Sequence, residues 1–154
     1  MVSLVALTNA FVAKLQDIPE VVALLGGDPA AIIPYIDSNP NSNNLEARIY
    51  EIKPGTVMVV HIDTVLAATQ SNMEKWLHTF HFILKAPRDQ SNLDLANLIV
   101  DGKPANGDGQ IWRRCEVMAG VDPTEITSIS RVTDTEGIDY ELIVTQTSET
   151  GDYV

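Results

Sequence analysis

The chain has 154 residues, 45 % apolar and 20 % charged, and its 21 acidic against 10 basic side chains leave a net charge of −11. A chain of this size buries roughly 70 % of its unfolded surface, and its composition is far from that of disordered segments, so an ordered core is expected without covalent staples. The acidity opposes approach to nucleic-acid phosphates and anionic lipids, while a single cysteine, Cys115, excludes an intrachain disulfide and a multi-cysteine zinc cage.

Leu4, Leu7, Phe11, Val12 and Leu15 fall on one helical face and predict an amphipathic helix over residues 3–16. Lys14 and Asp17 close this apolar start, which has no positive leading segment, so an intracellular chain without a signal peptide is expected. Pro19 suits the first turn of a second helix, and Gly26-Gly27 supplies its left-handed stop. Residues 30–36 are apolar around Pro34, and the polar turn formers at 37–44 predict a surface loop.

Residues 47–52 and 56–65 are expected to form strands of a β-hairpin turning at Pro54-Gly55. Residues 76–85 predict a further strand with Trp76, His78, Phe80, Phe82 and Leu84 on one side. Ser91 is placed to cap the next helix, which carries Leu95, Leu98 and Ile99 on one side and stops at Gly102. A glycine-rich loop at 102–109 leads toward a closing hairpin of residues 125–133 and 138–147, and the polar residues 148–154 are expected to fray.

Five groups of residues invite a chemical reading. The segment His61-Ile62-Asp63-Thr64-Val65 resembles the His-x-Asp-Thr-Val metal-binding segment of co-catalytic zinc aminopeptidases and deacylases, and on a regular strand His61 and Asp63 would share one side. The chain has Val60 where that family has glycine and contains no Glu-Glu pair, so a solvated strand is the expectation and no metal is assigned. His78 and His81 lie on opposite faces of a strand, which separates them as ligands. Gly26-Gly27-Asp28-Pro29 lacks the Gly-Lys-Ser/Thr of a phosphate loop, and Asn106-Gly107-Asp108-Gly109 offers one carboxylate where a calcium loop needs several. Arg113 and Arg114 could activate Cys115, yet no nucleophile signature accompanies it. No catalytic, cofactor-binding or metal residue is therefore assigned, and a non-enzymatic protein is expected.

This order of elements predicts an α+β fold, a mainly antiparallel β-sheet with N-terminal and central helices packed against it. The layout, and the phrasing Phe11-Val12-Ala13-Lys14-Leu15 followed by Val21-Val22-Ala23-Leu24-Leu25-Gly26-Gly27, resembles the tail terminator or tail completion proteins of long-tailed phages. The resemblance implies one tail-terminator-like domain over residues 1–154 with a short flexible C-terminal tail. It also implies a homo-oligomeric ring, usually a hexamer, that caps the tail tube and meets the head connector, with no membrane and no cofactor. DNA would pass through the lumen without specific binding, and the location would be the virion after assembly in the host cytoplasm. A head-completion adaptor or stopper is the neighbouring expectation, and an unassigned protein-binding module the more general one.

Overall fold

The computed structural model describes residues 2–36, 45–70, 73–103, 116–133 and 139–153. Ser3 opens helix α1 (Leu4–Gln16), its hydroxyl accepting from the Ala6 amide at 3.2 Å and so satisfying one of the donors a helix start leaves unpaired. Leu7, Phe11 and Leu15 recur at fourfold spacing and are fully buried. Pro19 begins α2 (Pro19–Leu24), where its missing N–H has no helical partner, and Gly26 and Gly27 end it at φ +97° and +84°. Strand β1 (Ile32–Tyr35) follows.

The next segment departs from expectation. Residues 47–52 belong to helix α3 (Leu45–Glu51) and its exit, so the hairpin centred on Pro54-Gly55 does not form. Leu45, Ile49 and Ile52 are spaced as one helical face, and they pack with Met58, Val60 and Ile83. The helix has a topological reason as well: β1 runs parallel to β2 (Thr56–Gln70), and parallel neighbours require a crossover that a tight turn cannot supply. Gly55 takes a positive φ of +87°, as a turn glycine can, but there it donates its N–H to the Lys85 carbonyl at 2.7 Å.

Antiparallel strand β3 (Met73–Lys85) is the true hairpin partner of β2. Ser91 then caps α4 (Asn92–Val100), accepting from the Leu93 and Asp94 amides at 3.1 and 3.4 Å. A Cβ at Gly102 would lie 2.5 Å from Ile18 Cδ1, so only glycine lets the end of α4 close on the junction of α1 and α2. Strands β4 (Glu125–Thr133) and β5 (Asp139–Tyr153) form the closing antiparallel pair, and the sheet order is β1-β2-β3-β5-β4. The fold is α+β and mostly antiparallel, as expected. The fraying expected beyond residue 147 is not found, because β5 continues to Tyr153 in register with β3. Glycine-rich residues 104–109, the loop at 37–44 and the turn at 134–137 lie outside the described residues.

One sheet face carries α1, α2 and α4 over Val57, Val59, Phe80, Phe82 and Leu84. Phe11 reaches down from α1 to pack at a tilt against Phe80 with ring centroids 4.5 Å apart and meets Phe82 edge-on at 5.5 Å. The opposite face holds α3 over Met58, Val60 and Ile83. Lys85 pins that helix: it is 5 % exposed, and its Nζ donates to the carbonyls of Ile49 at 2.5 Å and Ile52 at 3.5 Å. A cation at the carbonyl end of a helix satisfies groups that have no intrahelical donor and meets the favourable end of the helix dipole. Replacing Lys85 by Met should keep the apolar stem but lose both bonds, at a cost of about 1–3 kcal/mol, measurable as a lowered urea midpoint with loss of amide protection in α3.

Candidate functional site

Both halves of the candidate site lie where β2, β3 and β5 run past their helical cover. The first is a buried polar chain on the helix-covered face. Its strand partners are set by register: His61 lies opposite Phe80, Thr64 opposite His78, and His78 opposite Thr147, with Trp76 opposite Glu149. His61 Nε2 is 2.7 Å from Thr64 Oγ1, which lies 2.9 Å from His78 Nδ1. His78 Nε2 is 3.4 Å from Glu149 Oε2, which also accepts the Val2 amide at 3.0 Å. His78 is fully buried and Glu149 nearly so; both ring nitrogens of His78 and Oε2 of Glu149 are engaged, as buried polar groups require. The chain thus joins the start of α1 to β5, β3 and β2 in succession.

A register shift in β2 between His61 and Asp63 makes this possible. A regular strand would put both residues on one side. The extra residue reverses the alternation beyond it, so His61 stays on the face of Phe80 while Asp63 pairs with Thr79 and points to the other. The shared-metal geometry is removed, and Thr64 is brought onto the face of His61. Among the described residues no group of three or more His, Cys, Asp or Glu side chains is placed to hold a metal ion. His78 and His81 do fall on opposite faces, the first fully buried and the second partly so. Gly26-Gly27 acts as the helix stop, and Asp28 accepts from the Ala30 amide at 2.9 Å to hold the turn after it. Asn106 to Gly109, Arg113, Arg114 and Cys115 lie outside the described residues.

Glu149 was missed because residues 148–154 read as a polar tail. The signal was present: Thr145, Thr147 and Glu149 continue an alternation, and a buried strand position can hold a polar side chain when it finds a partner. Thr147 donates to the Asp122 carbonyl at 2.9 Å, and Ser148 to the Asp122 carboxylate at 2.6 Å.

The second half is apolar and exposed. Beyond His78 the register pairs Val65 with Leu77 on one face and Leu66 with Trp76 on the other. Ile62, Val65 and Leu66 remain 40 %, 45 % and 47 % exposed, high for large apolar side chains so close together. A separate hollow of about 1000 Å³ opens on the other side of β5 and along β4, lined by Lys75, Leu77, Asp122, Glu125, Ile129 and Gln146 among others, and no member of the polar chain lines it.

Burial pushes His61 below the usual imidazole value of 6.5, the neighbouring His78 acts in the same direction, and the backbone and carboxylate of Asp63 oppose both. Burial alone lowers His81. No known family model matches the chain, and no curated protein matches its sequence. No helix among the described residues is long and apolar enough to cross a membrane.

Thr64 is the shared member of the chain. Thr64→Val keeps its shape but leaves nitrogens of His61 and His78 facing a methyl group, so a loss of about 1–3 kcal/mol in urea unfolding is expected, with Thr64→Ser closer to wild type. The lowered histidines fix the sign of the pH response. Below about pH 6.5 the unfolded chain binds protons that folded His61 and His81 refuse, so stability falls as pH drops. Urea midpoints at pH 7.5 and 5.5 should show this decline, and the double variant His61→Gln, His81→Gln should flatten it.

Proposed function

We propose that the chain is a structural subunit of a long-tailed phage neck, a tail terminator that assembles into a ring on the tail tube and joins it to the head connector. The observation that carries the reading is the exposed stretch of β2 at and just past its bulge. Ile62, Val65 and Leu66 stand exposed there on a chain whose net charge is −11. Large apolar side chains exposed on both faces of a strand favour contact with another protein, and for copies of an acidic chain such apolar contacts oppose approach less than charged ones do. A patch of this kind meeting a different surface of the next copy is heterologous, and such contacts close into a ring when the rotation between copies permits.

Among the described residues β4 is the last strand of the sheet order, and a strand in that place is a second surface for subunit contact. The acidity suits a conduit for DNA, because a negatively charged lumen lets the polymer slide instead of adhering. The resemblance in the phrasing of residues 11–27 supports the same reading, and the polar chain at the root of the strands supplies rigidity and not chemistry.

Light scattering on the purified chain, together with micrographs of the chain mixed with tail tubes, tests the proposal. A ring at tube ends is expected, and the double variant Val65→Asp, Leu66→Asp should weaken association on the order of tenfold or more while leaving the thermal transition of the free chain nearly unchanged. A strictly monomeric chain that binds neither tubes nor connectors would overturn it, and rings found only on connectors would reassign it as a head-completion adaptor.

A further inference from the structure

The hydrogens along the buried chain have one directed arrangement when both imidazoles are neutral. The Glu149 carboxylate accepts from the Val2 amide and from His78 Nε2–H, His78 Nδ1 accepts the Thr64 hydroxyl, and Thr64 Oγ1 accepts His61 Nε2–H. One added proton is accommodated on His78. Its Nδ1–H then donates to Thr64, the hydroxyl turns to donate to His61 Nε2 once that neutral ring carries its proton on Nδ1 instead, and Glu149 lies beside the new charge.

A second proton is not accommodated. Two imidazoliums would face one hydroxyl oxygen from 2.7 and 2.9 Å, and the Thr64 proton would have neither nitrogen to receive it. Like charges this close in a part-buried setting oppose one another. The surrounding groups do not relieve the conflict. Glu149 from β5 faces His78 and not His61, and α1 brings no acidic residue in its first turn. From β3, Phe80 lies against His61 with ring centroids 5.2 Å apart, while Glu74 stands four residues beyond His78. From the segment before β4, Val121 bridges Glu149, and Asp122 is engaged with Lys75 at 3.6 Å and with Ser148. Asp63, on β2 itself, acts on His61 from the other face through its charge and its backbone.

We propose that His61, Thr64, His78 and Glu149 form a pH-sensitive latch at the bulge of β2: the second proton expels His61 to water and frees residues 61–66 from β3. His78 stays, held by Glu149, whereas His61 is half-buried and next to the irregular pairing, so it is the member able to leave. The latch belongs to a single chain and does not rest on the assembly role.

Hydrogen exchange of the full chain at about pH 7 and about pH 5, expressed as protection factors corrected for intrinsic rates, tests it. Amides of residues 61–66 should lose at least about tenfold more protection than those of α4, because the opening is local. His61→Gln, which keeps a donor toward Thr64 but takes no charge, should abolish the difference, and His81→Gln, on the other face, should retain it. Uniform loss across the chain, or the same local opening in His61→Gln, would overturn the latch.

Discussion

Fifteen residues of β2 in extended conformation reach about 50 Å, whereas the thirteen residues of α1 span about 20 Å. This mismatch between strand and cover governs the rest of the structure. Where helix and sheet overlap, Phe11 seats on Phe80 and Phe82, and the strands are apolar on both faces. Where the helices stop, the same strands must either find polar partners or stand in solvent, and they do the first at Thr64, His78 and Glu149 and the second at Val65 and Leu66.

The two sheet faces are closed by different means. The face under α1, α2 and α4 depends on aliphatic and aromatic burial, completed by the close approach of Gly102 to Ile18. The opposite face holds one short helix, too brief to be stable alone, and a buried lysine secures its carbonyl end. Polar anchoring thus appears at both margins of the apolar core, at Lys85 and at the His78 chain, each at a place where a backbone element changes direction or register.

The proposed ring subunit uses what this leaves outside. An acidic chain with an uncovered apolar strand end has little to offer a phosphate backbone and more to offer a neighbouring protein. The buried chain is adjacent to that end, since Thr64 and Val65 are consecutive and Trp76 is two residues from His78 on the same strand. Geometry at the bulge therefore bears directly on how the exposed side chains are presented.

Much of the fold is legible from local pattern. Ser3, Pro19, Gly26, Ser91 and Gly102 mark helix ends through hydrogen-bonding and backbone constraints that act within a few residues, and the alternation from Trp76 to Leu84 identifies β3 and its buried side. Residues 47–52 were ambiguous because a short apolar run satisfies helical and extended spacing alike; the parallel pairing of β1 with β2, a contact distant in sequence, required the crossover that made it a helix. The candidate site was less legible still. The sequence by itself determined the helix caps, the acidic charge and the apolar content of the strands. Only the tertiary structure decided that a bulge would part His61 from Asp63, and that Glu149, over seventy residues from His78 along the chain, would become its partner, because register between strands is set by the packing of the whole sheet and not by the residues of any one strand.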